Sequence, residues 1–248
     1  MAYHQFAALY DRLMAHAPYH KWVQFTEDII HKHALHVNNI VDLGCGTGEI
    51  TVRLKELGYH ITGVDVSEDM LAIANAKALH QHQSVTFVHQ DIRNLEGFDH
   101  IDLCVSYCDV MNYITDINDV EQVFQKVYNC LSNHGTFIFD VHHLPYVEEY
   151  LVNHSFSDVT DELAYIWECE AADQLGGMNH YLTFFEQQSD NSYHRFDEHH
   201  YQQTQSLAIY EKLLKNVGYT KITFYNDFQM QNGKIENNSE RIFIIAEK

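Results

Sequence analysis

Three glycines set between a strand-like run and a helix-like run constrain this chain more than any other feature. Asn39-Ile40-Val41-Asp42-Leu43 is short and apolar, as a buried parallel strand should be. It ends in Gly44-Cys45-Gly46-Thr47-Gly48, after which Glu49 to Leu57 reads as a helix closed by Gly58. Glycines there let the backbone turn tightly and let a bound molecule approach where a Cβ would clash. Ile61-Thr62-Gly63-Val64-Asp65 forms the next strand and ends on an acid 21 residues after Gly44. A carboxylate at that point can accept two hydrogen bonds from the hydroxyls of a ribose. The triplet alone says little, whereas strand, triplet, helix, strand and terminal acid in one unit say much more.

The alternation continues. Ser67 caps a helix through about Leu79, Val85 to Val88 is a third strand and Ile101 to Tyr107 a fourth. A helix over roughly Asp119 to Leu131 leads through Asn133-His134-Gly135 into a fifth strand, Thr136 to Val141. Strands alternating with helices predict an α/β fold with a mostly parallel sheet covered on both faces. Residues 1–36 read as two helices broken at Pro18, with Phe6, Leu9 and Leu13 on the first. From about Phe156 to Gln203 the pattern changes to antiparallel strands: Tyr165-Ile166-Trp167, Tyr181 to Phe185 and Tyr193 to Tyr201. A helix near Leu207 to Asn216 and strands Lys221 to Tyr225 and Ile242 to Ala246 follow, with a turn at Asn232-Gly233. The expected organisation is a helical cap (1–36), a core (37–141 and 204–248) and an antiparallel β insertion (142–203) able to act as a substrate lid.

Two ligand classes suit such a loop. A dinucleotide fingerprint spaces its glycines G-x-G-x-x-G and offers an uncluttered helix N-terminus to a pyrophosphate. This chain has G-x-G-x-G with Glu49 in the first turn, which favours a cation. Val41 to Gly48 resembles motif I of the class I S-adenosylmethionine (SAM)-dependent methyltransferases. Thr62 to Leu71 resembles the acidic-loop motif that follows it, and His89-Gln90-Asp91-Ile92 the third. The resemblance implies a Rossmann-like seven-stranded, mostly parallel sheet, the class I methyltransferase fold. It also implies SAM as methyl donor and S-adenosylhomocysteine as product.

Carried over by position, Gly44, Cys45, Gly46 and Gly48 would surround the methionine part of SAM and Asp65 would hold the ribose. Val66 and Met70 would flank the adenine, with Asp91 and Ile92 at its edge. Phe6 to Met14 followed by Pro18 to Trp22 resembles the opening of a bacterial subgroup in which an N-terminal helix folds over the cofactor. Tyr10, Tyr19 and Trp22 are then expected cofactor contacts. Tyr107 to Tyr113 matches that subgroup too, which places Cys108 and Asp109 at the sulfur end.

Methyl transfer from a sulfonium is an in-line displacement that needs positioning and exclusion of water, and a general base only if the acceptor must lose a proton. No catalytic residue is therefore assigned; His142 and His143, at the end of the fifth strand, are expected substrate contacts. Fifteen basic residues face 35 acidic ones, a formal net charge of −20, which argues against nucleic acid and anionic membranes and for a small-molecule acceptor. A SAM-binding scaffold without transfer activity, and an RNA- or ribosome-associated methyltransferase whose partner supplies basic surface, stay open at this point. So does the oligomeric state. The N-terminus has no basic-then-apolar leader pattern, and the five cysteines form no CxxC pair, as expected of a cytoplasmic chain. His31-Lys32-His33-Ala34-Leu35-His36 and His199-His200 have no metal-site spacing, so no metal is expected.

Overall fold

A computed structural model describes residues 11, 14, 17–230 and 235–248. The expected first helix, with Phe6, Leu9, Tyr10 and Leu13, and the Asn232-Gly233 turn lie outside the described residues. Pro18 opens α1 (Tyr19–Lys32), whose Trp22, Phe25, Thr26, Ile29 and Ile30 recur at helical spacing and are all buried. The five strands of the alternating region are β1 (Asn39–Leu43), β2 (His60–Asp65), β3 (Thr86–His89), β4 (Ile101–Ser106) and β5 (Leu131–His142). They alternate with α2 (Glu49–Glu56), α3 (Glu68–His80) and α4 (Ile117–Cys130). After the insertion come α5 (Leu207–Val217), then two strands numbered below with the sheet they join.

The insertion holds four antiparallel strands: β6 (His154–Val159), β7 (Leu163–Ala171), β8 (Gly177–Gln187) and β9 (Tyr193–Gln203). The chain then returns to the first sheet as β10 (Lys221–Asn226) and β11 (Arg241–Glu247). Strand order in that sheet is β10-β11-β5-β4-β1-β2-β3, and only β11 runs antiparallel to its neighbours. This is the Rossmann-like α/β architecture expected from the sequence, with the antiparallel sheet as a second layer element.

Period-2 alternation sorts side chains to two cores. Phe137, Phe139 and Val141 of β5 pack with Val123, Phe124 and Val127 of α4 and Tyr210 and Leu214 of α5. Ile138 of β5, with Leu103 and Val105 of β4, packs on the other face against Phe25 and Ile29 of α1 and Leu54 of α2. Asp140 and Arg241 fall on that second face as well, because they keep the parity of Ile138 and Phe243.

Two expectations change. Asn133-His134-Gly135 is not a loop before β5 but a bulge inside it. Pairing with β4 holds at Ile101 with Leu131 and resumes at Leu103 with Thr136, and His134 has φ +71° in between. The insertion has four strands rather than three. His154–Val159 is a polar edge strand with only Phe156 half-buried, so its sequence shows almost no alternation. A short helical turn, Leu144–Tyr146, and a wider-wound turn, Val147–Leu151, also precede it, burying Val147 and Leu151 against Cys169 and Met178.

Candidate active site

Strand order reverses between β1 and β4, the point where an open α/β sheet leaves a crevice at its C-terminal edge. A cavity of about 520 Å³ lies there. Its wall is supplied by the ends of β1 and β2 and the segments after β3 and β4.

All three loop glycines have positive φ: +72° at Gly44, +53° at Gly46 and +78° at Gly48. They do different work. Gly44 is clamped by its N–H to the Val64 carbonyl (2.7 Å), and a Cβ on it would sit 2.5 Å from Val110. Gly46 faces open space, so the cradle beside it is free for a ligand. Gly48, the N-cap of α2, would drive a Cβ to 3.0 Å from Ala74 Cβ and 3.2 Å from Phe87. Its role is close packing of α2, and it is not part of the cavity wall. Gly44→Ala should therefore lower stability by about 1–3 kcal/mol through overpacking and left-handed strain, read as a drop in thermal midpoint.

Asp65 accepts the Gly46 N–H at Oδ2 (2.8 Å) and the Ser67 N–H at Oδ1 (2.9 Å). Each oxygen keeps acceptor capacity, so the carboxylate both shapes the loop and can take two further hydroxyls. Burial pushes its carboxyl up, and these N–H donors pull it back. Ser67 caps α3 through the Met70 N–H (3.3 Å), which sets Val66 and Met70 at the same edge. Asp91 accepts the Arg93 N–H (2.9 Å) and pairs with the Arg93 guanidinium (2.6 Å), which holds its carboxyl below the ordinary range. It is a turn cap and a wall residue at once, next to Ile92.

After β4, Cys108 and Asp109 both adopt left-handed backbone, φ +58° and +55°. Consecutive non-glycine residues there persist only when their surroundings hold them. The holder is Asp140, fully buried, which accepts Cys108 N–H (3.2 Å) and Asp109 N–H (2.8 Å). Arg241 bridges Asp140 (3.0 Å) and Asp109 (3.1 Å). Gln202, from the insertion, donates to Asp109 Oδ2 (2.7 Å). Burial pushes the Asp109 carboxyl up, but the Arg241 guanidinium and the hydrogen bonds from Arg241 and Gln202 help to hold it below its ordinary range.

The structure thus brings Tyr19, Gly44, Cys45, Gly46, Asp65, Val66, Met70, Asp91, Ile92, Cys108 and Asp109 to one cavity. Trp22 is corrected to a structural role. Its indole N–H donates to Asp140 (2.6 Å) and Arg241 lies 5.4 Å from its ring centroid, so it sits behind the wall. His142 and His143 are likewise buried behind the wall, His142 with Nε2 3.7 Å from Asp109 Oδ1. Burial pushes both imidazoles below their ordinary range, so they are neutral side chains near pH 7. Tyr10 lies outside the described residues. The insertion aromatics Tyr165, Trp167, Tyr181, Phe184 and Phe185 are also absent from the wall; His200 is the residue the insertion contributes.

Sequence reasoning missed Asp42, Glu49 and His200 as wall residues, whereas Tyr113 belongs to the Tyr107 to Tyr113 segment expected there. Asp42 had a signal, standing two residues before the first glycine on the strand that ends at the cavity. His200 had none, since it arrives by the fold-back of β9. Among the described residues, six acidic side chains (Asp42, Glu49, Asp65, Asp91, Asp109 and Asp119) line the cavity against one Lys or Arg, Arg93. That balance repels a pyrophosphate and suits a ligand carrying sulfonium and ammonium charges. The residues present fit SAM and do not fit a dinucleotide. Among the described residues, no group of three or more His, Cys, Asp or Glu is arranged to hold a metal, and no helix is long and apolar enough to cross a membrane.

A methyltransferase-domain family model matches residues 40–135. Over 254 aligned residues the chain is 37% identical to a protein of Geobacillus sp. strain WCH70 that bears the name "Putative methyltransferase", covering 100% of both. It is equally 37% identical to "Putative methyltransferase YqeM" of Bacillus subtilis strain 168, covering 100% of this chain and 98% of the relative. A crystal structure of a SAM-dependent methyltransferase from Clostridium acetobutylicum superposes with a TM-score of 0.88 at 31% identity, over 100% of this chain and 99% of the other. The chain belongs to the class I SAM-dependent methyltransferase family. It is an enzyme, which removes the reading as a scaffold without transfer activity.

Proposed function

We propose that this enzyme binds SAM in the cavity at the glycine loop and transfers its methyl group to a small-molecule acceptor, leaving S-adenosylhomocysteine. The observation that supports this most is Asp65, whose two oxygens fix the Gly46 and Ser67 N–H groups while retaining acceptor capacity toward the cavity. When bound, SAM supplies an activated methyl on a sulfonium centre. The chain's own residues do the rest. Asp65 would accept the ribose hydroxyls, Val66 and Met70 would flank the base, and Asp91 with the Ile92 backbone would meet its edge. Asp109, ionised and braced by Arg241 and Gln202, would hold the amino group of the methionine part.

The insertion is proposed as the substrate lid. Its last strand is tied to the wall by Gln202 to Asp109, by Asn112 Nδ2 to the Gln203 carbonyl (3.1 Å) and by Thr204 Oγ1 to the His142 carbonyl (2.6 Å). Water exclusion over the methyl would come from this side, where Tyr113 and His200 meet edge to face at 6.0 Å.

A labelled-methyl assay decides the acceptor class. With the full chain and methyl-labelled SAM, label is expected in a low-molecular-weight metabolite fraction. Label in RNA or ribosomes would overturn the small-molecule reading, which the charge of −20 supports.

Asp42 gives a pH signature. Burial raises its carboxyl to about 7; the Thr51 hydroxyl (2.5 Å) pulls it down and the charge of Asp65 pushes it up. An acid whose folded value lies above its unfolded value of about 3.9 adds stability below that pH and loses it as pH rises through 7. Asp42→Asn removes the titration. Between pH 5 and 8 the thermal midpoint of the wild type should fall relative to that of the variant, and parallel midpoints would show that Asp42 does not titrate there.

A further inference from the structure

We propose that the inner face of the insertion sheet carries an organic-ammonium subsite centred on Glu198, so that the acceptor molecule carries, apart from the atom that receives the methyl, an ammonium group on a flat apolar body. This rests on the small-molecule reading above and narrows it. Strand alternation puts Gln202, His200, Glu198 and Phe196 of β9 on one face, in that order away from the cavity. Gln202 grips Asp109 and His200 lines the cavity wall, so Glu198 lies one strand step beyond, about 7 Å along the strand.

Glu198 is 9% exposed, and its Oε1 has no hydrogen-bond partner. A buried carboxylate oxygen without a partner is costly, and among the described residues no Lys or Arg charge acts on Glu198 to compensate it. Desolvation raises its carboxyl. Its surroundings are apolar and rigid. Leu182 stands opposite on β8, with Trp167 next on β7. Phe196 stacks on Phe184 at 4.9 Å, and Trp167 is fixed by its N–H to His180 Nδ1 (3.0 Å). The Val147–Leu151 turn covers this face at its Cys169 and Met178 end, and Trp167 packs against the edge of that cluster. Trp167, Leu182 and Phe196 stay half-buried.

The occupant follows from charge. An anion would meet Glu198 and Asp109, and a neutral group leaves the carboxylate uncompensated. An ammonium satisfies it, and the aromatic rings beside it favour both the cation and a flat apolar body.

The test uses phenethylammonium as probe, titrated by calorimetry into the full chain with and without saturating S-adenosylhomocysteine. Glu198→Gln and the anionic analogue 3-phenylpropionate serve as controls. Phenethylammonium should bind wild type at least tenfold more tightly than the variant, and 3-phenylpropionate should bind neither. Glu198→Gln should melt no lower than wild type and keep its affinity for S-adenosylhomocysteine, since it removes an uncompensated charge away from the cofactor wall. Equal affinity of the two proteins for the ammonium, no binding to wild type, or binding of the anion overturns the proposal. Because the titration is also run without S-adenosylhomocysteine, failure of the cofactor reading would appear separately.

Discussion

Asp65→Ala is expected to weaken S-adenosylhomocysteine binding by about a hundredfold or more. The carboxylate accepts Gly46 N–H at 2.8 Å and Ser67 N–H at 2.9 Å, so its removal frees two loop donors and deletes the proposed ribose acceptor together. Hydrogen bonds to a charged group contribute about 1.5–3 kcal/mol each, and about 1.4 kcal/mol is a factor of ten in affinity. Calorimetric titration of S-adenosylhomocysteine into the variant measures it. Asp65→Asn separates the two losses. An amide oxygen can still accept one N–H, and its NH2 can donate to a hydroxyl, so the variant should lose less affinity than Asp65→Ala. A variant that folds and binds as the wild type does would remove Asp65 from the cofactor's surroundings.

The second large effect is on stability. Asp140 is fully buried at the centre of four partners, Cys108 N–H, Asp109 N–H, the Trp22 indole and the Arg241 guanidinium, with the β5–β11 register aligning it opposite Phe243. Asp140→Ala leaves Arg241 buried without its partner on that side and releases the left-handed turn. Breaking a buried pair costs about 3–5 kcal/mol. For a chain of this size that is on the order of 10 °C in thermal midpoint. Asp140→Ala with Arg241→Met should recover part of this loss, because the stranded charge goes too. If the double variant melts lower than the single one, Arg241 is stabilised by something other than Asp140.

How much of this was legible in the sequence follows from how local each feature is. The loop, Asp65, Ser67 and the strand-helix alternation are written within about 30 residues, and periodicity shows them directly. Trp22 reads as a ligand contact because its partner, Asp140, lies 118 positions away, and nothing in a Pro18 to Trp22 pattern reveals whether an indole meets a ligand or a buried carboxylate. His142 and His143 sit at the strand end where ligands bind, yet Arg241 pairs with His142 and Ser239 and Glu240 meet His143, whose N–H is taken by the Glu240 carbonyl at 3.0 Å. Glu198 and His200 depend on the register of β8 with β9, which places Leu182 and His180 opposite them. A one-residue slip would turn both to solvent, and local sequence does not fix that register.

The cavity with its six acidic side chains is proposed as a SAM site. Titration of the unmodified protein with S-adenosylhomocysteine and, separately, with NAD tests it most directly. Saturable one-site binding of S-adenosylhomocysteine and none of NAD is the expected result. Binding of NAD, or absence of binding by both SAM and S-adenosylhomocysteine, would contradict it.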